Sequence, residues 1–442
     1  MKPFSLLKRP LIFSTLLLSG AGILSRILGF FYRIFLSHTI GAEGLGIYQL
    51  IFPALMLGMA VSSYAIQSAI SKYTAEYIAI DKTPYRGRCF LSAGILFSLL
   101  LSLVFSFALY YFSDPVATVI IGEPRCGPLL KLLAWAIPFS SLHSCFNGYF
   151  YGLKKAAIPA LSQIIEQFFR VVGVYVFVRL LLANGEEITP AVAVYGILFG
   201  EIAAVFFTVH AYGTSNLKKP TLLSFVQLFR FCIPLSINRV LLSLFQSAES
   251  ILIPGRLQAF GMSAKESLSL FGVISGMALP VIMFPSVFTN SLSVMLLPSI
   301  SEAAAMNNDK RIHYLLVRTS CLCTLTGLFF SLIFCFSGVW IGTAIYGNAA
   351  AGEYITALGW LCPVLFLSIA LNSILNGLGK TRVTLFLNVF GSCIRLCGIV
   401  FGVPAYGIRS YLISLLLSYF SVCILSILFF IVKNKKKSVM MD

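Results

Sequence analysis

Long apolar stretches alternate with short polar breaks along nearly the whole chain. Most of the stretches run for about 20 residues or more, which is the length of an α-helix that crosses a lipid bilayer and about twice the length of a barrel strand. Twelve stretches are predicted to be spanning helices, at 11–37, 44–70, 89–112, 128–152, 159–182, 190–212, 225–254, 269–297, 313–338, 355–378, 383–403 and 410–432. The pattern therefore predicts an all-α integral membrane protein.

The composition agrees with this prediction. Of 442 residues, 58% are hydrophobic and 11% are charged, and the mean hydropathy is +0.93. The net charge of +17 does not indicate a nucleic-acid partner, because the basic residues lie in short clusters between apolar stretches and not on one soluble face. The 11 cysteines mostly fall inside apolar runs, without a CxxC pair, so we interpret them as packing residues and predict neither a metal site nor a cofactor.

The basic clusters also predict the orientation. With a cytoplasmic N-terminus, 19 Lys and Arg residues fall on the inner side and five on the outer side, namely Arg125, Lys131, Arg256, Lys265 and Arg409. This bias predicts that both termini are cytoplasmic. The first apolar stretch continues past residue 30 without a small-residue cleavage site, so we expect a retained first helix. The basic C-terminal tail either rests on anionic headgroups or stops transfer.

An internal repeat divides the chain into two parts. Residues 147–170 correspond to 372–395 at a constant offset of 225, which aligns Asn147 with Asn372 and Arg170 with Arg395. We predict two lobes of six helices, 1–218 and 219–442, related by an axis along the membrane normal. Two such lobes would enclose a central cavity; the alternative is a duplication without a cleft.

Several predicted helices carry arginine on an otherwise apolar surface. Arg26 and Arg33 share one face of the first span with Gly22 and Gly29, and Arg239 lies on the corresponding face of the seventh span. An arginine at mid-depth costs about 2.5 to 3.5 kcal/mol on insertion scales. Guanidinium groups bind phosphate oxygens through two hydrogen bonds, so a phosphorylated ligand would explain their presence.

Other polar residues complete the predicted site. Gln67, Gln246 and Asn290 suit sugar hydroxyls, although hydrogen bonding between helices is an equally simple explanation. The predicted substrate-binding residues are Arg26, Arg33, Arg239, Arg170, Arg395, Gln67, Gln246 and Asn290. The spans hold five deep arginines and three deep glutamates, Glu166, Glu201 and Glu249, which are candidates for ion coupling. The alternative for Glu201 and Glu249 is that they only balance the charge of arginine. Glu166 lies four residues before Arg170, so these two residues could instead form an internal ion pair.

Four stretches resemble a known family. They are SRILGFFYRIFLSHTIGAEGLGIYQLIFP, PALSQIIEQFFRV, NRVLLSLFQSAESILIPGRLQ and MLLPSISEA, and they are similar to the stage V sporulation protein B group. That group belongs to the superfamily of lipid II flippases, Wzx-type polysaccharide exporters and multidrug extruders (the MOP superfamily). Many of its members have fourteen spans, so a lipid-tail groove made by two extra helices is in doubt here.

The resemblance implies a V-shaped, two-lobed fold in a bacterial cytoplasmic membrane. It implies flipping of undecaprenyl-pyrophosphate-linked oligosaccharide to the outer leaflet by alternating access, for cell wall, spore cortex or polysaccharide assembly. It assigns substrate binding to Arg26, Arg33 and, more loosely, Arg239. The expected partners are the lipid-linked substrate, the bilayer and enzymes of cell-wall or polysaccharide synthesis, and the expected state is a monomer.

The residues argue against two other functions. A cation-coupled multidrug antiporter would have to attract organic cations, which the surplus of arginine would repel. An intramembrane glycan-modifying enzyme would need a catalytic base beside a nucleophile. The four histidines, His38, His143, His210 and His313, lie on different spans with no acid at useful spacing, so we predict no catalytic residue and no enzyme.

Overall fold

The computed structural model describes residues 10–81, 83–213, 217–306 and 308–439. Within these ranges it leaves the side chains of 10–19, 291, 294, 295, 297, 298, 304, 305 and 432–439 undescribed, so the terminal basic clusters fall outside the described side chains. The described residues are helical and contain no β-strand. This confirms the predicted all-α class.

The helices are α1 (Pro10–Ser62), α2 (Tyr64–Asp81), α3 (Tyr85–Tyr111), α4 (Ser113–Pro115), α5 (Cys126–Gly152), α6 (Ala157–Ala183), α7 (Ala191–Tyr212), α8 (Leu222–Ala259), α9 (Ala264–Gly272), α10 (Leu279–Met283), α11 (Ser286–Ala305), α12 (Asp309–Tyr346), α13 (Ala349–Gly359), α14 (Cys362–Gly377), α15 (Thr381–Cys397), α16 (Val403–Tyr406) and α17 (Ile408–Val439). Short π-helical segments lie at Val116–Ile121, Val273–Ala278 and Gly398–Gly402. Within the described ranges, nine helical segments are long and apolar enough to cross a membrane, and counting the bent pair α13 and α14 makes ten. The figure of twelve spans stays a prediction.

One glycine interrupts the long first helix. Gly41 has φ +69° and ψ −176°, a conformation outside the helical region that glycine adopts without a steric penalty. It separates the first two predicted spans at the position where the sequence placed a break. The second span continues beyond residue 70, because α2 follows α1 after Ser63 and runs to Asp81.

The chain divides into two compact units, unit 1 (Met1–Ser247) and unit 2 (Ala248–Asp442). Helix α8 contributes residues to both units, and the predicted boundary at residue 218 stays a prediction. In unit 1, small residues let α6 and α7 approach closely: a Cβ added at Gly200 would lie 2.7 Å from the carbonyl oxygen of Glu166. This approach brings polar residues of the two helices together.

Unit 2 contains a similar close approach between α12 and α13. A Cβ added at Gly352 would lie 2.5 Å from the Cα atom of Val339, so a larger side chain there must push the backbones apart. We expect Gly352→Val to destabilise the protein by about 1 to 3 kcal/mol, the usual cost of overpacking, and to lower its melting temperature in detergent. Gly255→Val is the matched control, since no atom of another described part of the chain lies within 4 Å of its added Cβ. Equal melting temperatures for the two variants would contradict this packing.

Candidate functional site

The arginine-bearing face of α1 lies beside α6. A Cβ added at Gly29 would be 3.7 Å from Oε1 of Gln167, which places this face of α1 against a polar part of α6. Arg26 and Arg33 lie one turn before and one turn after Gly29. Two predicted polar faces, one from each helix, therefore meet within unit 1.

Three of the five deep arginines have no carboxylate partner in the described part of the chain. Arg26, Arg33 and Arg239 form no ion pair within 4.0 Å among the residues that the structure describes. Arg26 and Arg239 are exposed, and Arg33 is half-buried. The guanidinium carbon of Arg239 lies 5.6 Å from the ring centroid of Tyr64, a cation–π contact that leaves its N–H groups available to a ligand.

The other two deep arginines are matched by glutamate. Arg170 donates to Glu166 on the same helix, which confirms the alternative that their spacing of four residues suggested. Arg395 donates from Nε to Oε2 of Glu249 at 2.9 Å, and its Nη2 lies 2.8 Å from Oε1. Ser418 and Ser392 accept further hydrogen bonds from Arg395 at 2.6 and 2.8 Å. These contacts favour a structural role for Arg170 and Arg395.

Removing one member of the unit 2 pair is expected to destabilise the protein strongly. The side chains of Arg395 and Glu249 are only 14% and 12% exposed, so Glu249→Leu leaves a buried charge without a partner, at about 3 to 5 kcal/mol. The double variant Glu249→Leu, Arg395→Met is expected to recover most of this loss in a thermal melt. Glu302→Leu is the control: its pair with Arg311 is about half exposed and is worth about 0 to 1 kcal/mol. A single variant no less stable than the double variant would contradict the assignment.

The third glutamate contacts a histidine that the sequence did not single out. Nδ1 of His143, on α5, lies 3.2 Å from Oε2 of Glu201 on α7, with side chains only 8% and 6% exposed. At the other ring nitrogen, Nε2, the amide nitrogen of Asn147 lies at 2.8 Å and the hydroxyl of Ser162 is also in contact. The spacing of residues along one helix cannot reveal this contact, since His143 and Glu201 are 58 residues apart.

Glu166 completes this cluster. One ligand atom from each of His143, Glu166 and Glu201 lies within 4.8 Å of the others, a nitrogen and two carboxylate oxygens that could hold a metal ion. Arg170 already pairs with Glu166, however, and its positive charge opposes a second cation at that carboxylate. The cluster therefore fits a proton better than a divalent metal.

The three amide side chains predicted to bind sugar differ in their exposure and hydrogen bonding. Asn290 donates from Nδ2 to the carbonyl oxygen of Ser286, one turn back on α11, at 2.9 Å. Gln67 is half-buried and Gln246 is exposed. Contact of these residues with a sugar stays a prediction.

Comparison with known proteins identifies the class of fold. Solved transporters share the fold: "Lipid II flippase MurJ, inward closed conformation" has a TM-score of 0.73 and 17% identity, with 94% of this chain and 87% of that chain covered. An inward-facing multidrug resistance MATE family transporter of the MOP superfamily has a TM-score of 0.68 and 14% identity, with 93% of both chains covered. The chain therefore has the fold of these membrane transporters.

The sequence defines the family within this class. Residues 12–303 match the family model described as "Polysaccharide biosynthesis protein", and residues 265–403 match the MatE model. The chain therefore belongs to the polysaccharide biosynthesis protein family. Stage V sporulation protein B of Bacillus subtilis (strain 168) is 25% identical over 405 residues, covering 89% of this chain and 78% of that relative. Lipid II flippase MurJ of the same strain is 23% identical over 424 residues, covering 87% and 76%. The resemblance noted in the sequence is confirmed.

Proposed function

We propose that the protein flips undecaprenyl-pyrophosphate-linked oligosaccharide, a precursor of peptidoglycan or of another polysaccharide, from the cytoplasmic to the outer leaflet. The observation that carries this proposal is the contrast among the five deep arginines. Arg170 and Arg395 are neutralised by glutamates, whereas Arg26, Arg33 and Arg239 have no carboxylate within 4.0 Å in the described part of the chain. A ligand that brings its own negative charge fits the unpaired set.

Pyrophosphate is the ligand chemistry that these three residues suit best. Arginine keeps its charge in any environment, and its planar fork matches phosphate oxygens with two parallel hydrogen bonds. Placing such a residue in a membrane helix costs about 2.5 to 3.5 kcal/mol on insertion scales, so function has to retain it. The names of two relatives, a lipid II flippase and a sporulation protein, support a lipid-linked precursor of the cell envelope.

Transport in this proposal needs no covalent chemistry. The polyprenyl tail stays in the lipid while the headgroup crosses by alternating access, with Gln67, Gln246 and Asn290 offered to the sugar hydroxyls. The two repeats, 1–218 and 219–442, act as the two lobes. We place the protein in a bacterial cytoplasmic membrane, as a monomer with both termini in the cytoplasm, supplied with substrate by enzymes of cell-wall or polysaccharide synthesis.

A flipping assay with the purified protein tests this function. Vesicles containing the protein receive a fluorescent undecaprenyl-pyrophosphate oligosaccharide in both leaflets, and a membrane-impermeant quencher then reports which molecules reach the outer leaflet. We expect rapid and complete quenching with the protein, and quenching of only the initial outer-leaflet share in protein-free vesicles. An unchanged protected fraction in vesicles that contain folded protein would contradict the proposal.

Cation-coupled multidrug antiport is the second candidate. The MatE match at residues 265–403 and the fold shared with MATE transporters favour it. The unpaired arginines oppose it, since three uncompensated positive charges repel an organic cation.

A further inference from the structure

The His143 cluster of unit 1 has a chemistry that the proposed function does not use. It consists of His143 and Asn147 from α5, Ser162 and Glu166 from α6, and Glu201 from α7. Both members of its central pair, His143 and Glu201, are almost fully buried. Burying a group that can gain or lose a charge costs free energy unless the charge is paired and hydrogen-bonded.

The charges of the cluster are out of balance by one proton. Glu166 and Glu201 contribute two negative charges, and Arg170, paired with Glu166, contributes one positive charge. With a neutral imidazole, this buried set carries one net negative charge. One proton on His143 makes the set neutral. Gain and loss of that proton therefore switches the set between a neutral state and a state with one net negative charge.

The hydrogen bonds accommodate both states of the ring. A proton on Nδ1 is donated to Glu201 in either state, which leaves Nε2 as the atom that changes. When Nε2 is bare it can accept from the amide nitrogen of Asn147, 2.8 Å away, or from the hydroxyl of Ser162. When Nε2 carries a proton, the Ser162 oxygen accepts it, or the Asn147 amide turns over and presents Oδ1. That Oδ1 is buried and has no hydrogen-bond partner within the part of the chain that the structure describes.

Charged and titratable groups of helices α1, α2, α6 and α7 lie near the cluster. Glu201 and Glu166 act directly on His143. The surrounding titratable and charged groups are Tyr32 and Tyr48 from α1, Tyr64 from α2 and Arg170 from α6. The three tyrosines are neutral at physiological pH, so they leave the charge count unchanged.

Tyr64 connects this cluster with a proposed substrate residue. Its ring contacts the guanidinium group of Arg239 in the cation–π interaction, and Tyr64 also lies near Glu201 and Glu166. A change of charge in the cluster acts through space on Arg239, beside Tyr64, where pyrophosphate would bind. The close packing of Gly200 against Glu166 leaves little room for the two helices to absorb that change locally.

The second repeat lacks this chemistry. At the offset of 225, His143 and Glu166 correspond to Ser368 and Gly391, which are both buried and cannot titrate. The arginine of the pair is retained there as Arg395, and Glu249 neutralises it. The two halves thus share the arginine, whereas the histidine and Glu166 occur only in the first.

We propose that His143 is a proton-binding site, with Glu201 as its anionic partner and Asn147 and Ser162 as its two-state partners, and that its protonation couples proton entry to substrate export. The inference rests on the proposed flippase function. The only bond formed is Nε2–H, and the proton comes from the outer aqueous side and is released on the inner side in each cycle. Proton and anionic substrate move in opposite directions, so an inside-negative potential favours both movements.

A pH gradient at zero membrane potential tests this coupling. Vesicles clamped with potassium and valinomycin are made one pH unit more acidic outside, and the labelled lipid is followed to equilibrium. One proton exchanged per substrate should enrich the lipid in the outer leaflet about tenfold in the wild type. His143→Gln, which retains hydrogen bonding but cannot carry the proton, should give equal leaflets. His210→Gln, a matched change at an exposed histidine of α7, should keep the tenfold enrichment.

The outcomes separate the two proposals. Wild-type protein that moves no labelled lipid would overturn the flippase function itself. Wild-type protein that equalises the leaflets despite the gradient, or His143→Gln protein that keeps the enrichment, would overturn the coupling and leave the flippase intact.

A second measurement tests the proposal if the His143→Gln variant does not fold. The chain has four histidines, so replacing His38, His210 and His313 by glutamine leaves His143 as the single ¹⁵N-histidine signal. We expect its ring to change charge between about pH 5 and 8, the range in which imidazole normally titrates. A ring that keeps one charge state over that whole range would overturn the proposal.

Discussion

Replacing Arg239 by alanine is expected to slow flipping of a pyrophosphate-linked oligosaccharide by about 10- to 100-fold. A hydrogen bond to a charged group is worth about 1.5 to 3 kcal/mol, and arginine offers two in parallel. Arg239 has no carboxylate partner among the described residues, so its guanidinium can meet phosphate without first breaking an ion pair. Arg239→Lys keeps the charge but loses the planar fork, and an intermediate rate is expected. The quencher assay measures all three proteins.

The control for this variant lies on the same helix. Arg230 is also an exposed arginine of α8, but it falls near the cytoplasmic end of the predicted span, where a long side chain reaches water. Arg230→Ala is therefore expected to flip lipid at close to the wild-type rate. Arg26→Ala should behave like Arg239→Ala. Wild-type rates in both Arg26→Ala and Arg239→Ala would remove the proposed pyrophosphate contacts.

The response of flipping to membrane potential is expected to be steep. The pyrophosphate diester carries two negative charges outward, and each charge moved across 100 mV is worth about 2.3 kcal/mol. If each cycle also carries one proton inward through His143, three charges move in total. At a potential of about 30 mV, negative inside, two charges shift the leaflet ratio about tenfold and three shift it about thirtyfold. The slope of the logarithm of the leaflet ratio against membrane potential therefore gives the number of charges moved in each cycle.

The comparison again uses the two variants His143→Gln and His210→Gln. His143→Gln should reduce the slope from three charges to two, while His210→Gln should leave it at three. The measurement is made without a pH gradient, so it does not repeat the gradient experiment. A wild-type leaflet ratio that does not change with membrane potential would contradict this account, in which an anionic headgroup is exported while the arginines stay in place.

Local features of the fold could be predicted from the sequence. The break at Gly41 falls in the gap between the first two apolar stretches. The ion pair between Glu166 and Arg170 follows from their spacing of four residues, which places both side chains on one face of a helix. The all-α class follows from the length and composition of the apolar stretches. The helix that contains the second predicted span continues past residue 70, since α2 extends to Asp81 beyond a local break at Ser63.

Contacts between distant helices could not be predicted in the same way. Glu249 and Arg395 are 146 residues apart, and His143 and Glu201 are 58 apart. Counting deep charges showed that two arginines would remain unmatched, but it could not show which glutamate pairs with which residue. The structure shows that Glu201 binds a histidine and not an arginine, so three of the five arginines remain unmatched by any carboxylate of the described residues.

Direct binding to the purified protein in lipid nanodiscs tests the central claim, that the unpaired arginines hold a pyrophosphate-linked substrate. The wild type is expected to bind labelled undecaprenyl-pyrophosphate oligosaccharide saturably, Arg26→Ala and Arg239→Ala to bind it much more weakly, and none of the three to bind ethidium. Saturable ethidium binding by the wild type, with no binding of the lipid-linked pyrophosphate, would contradict the account.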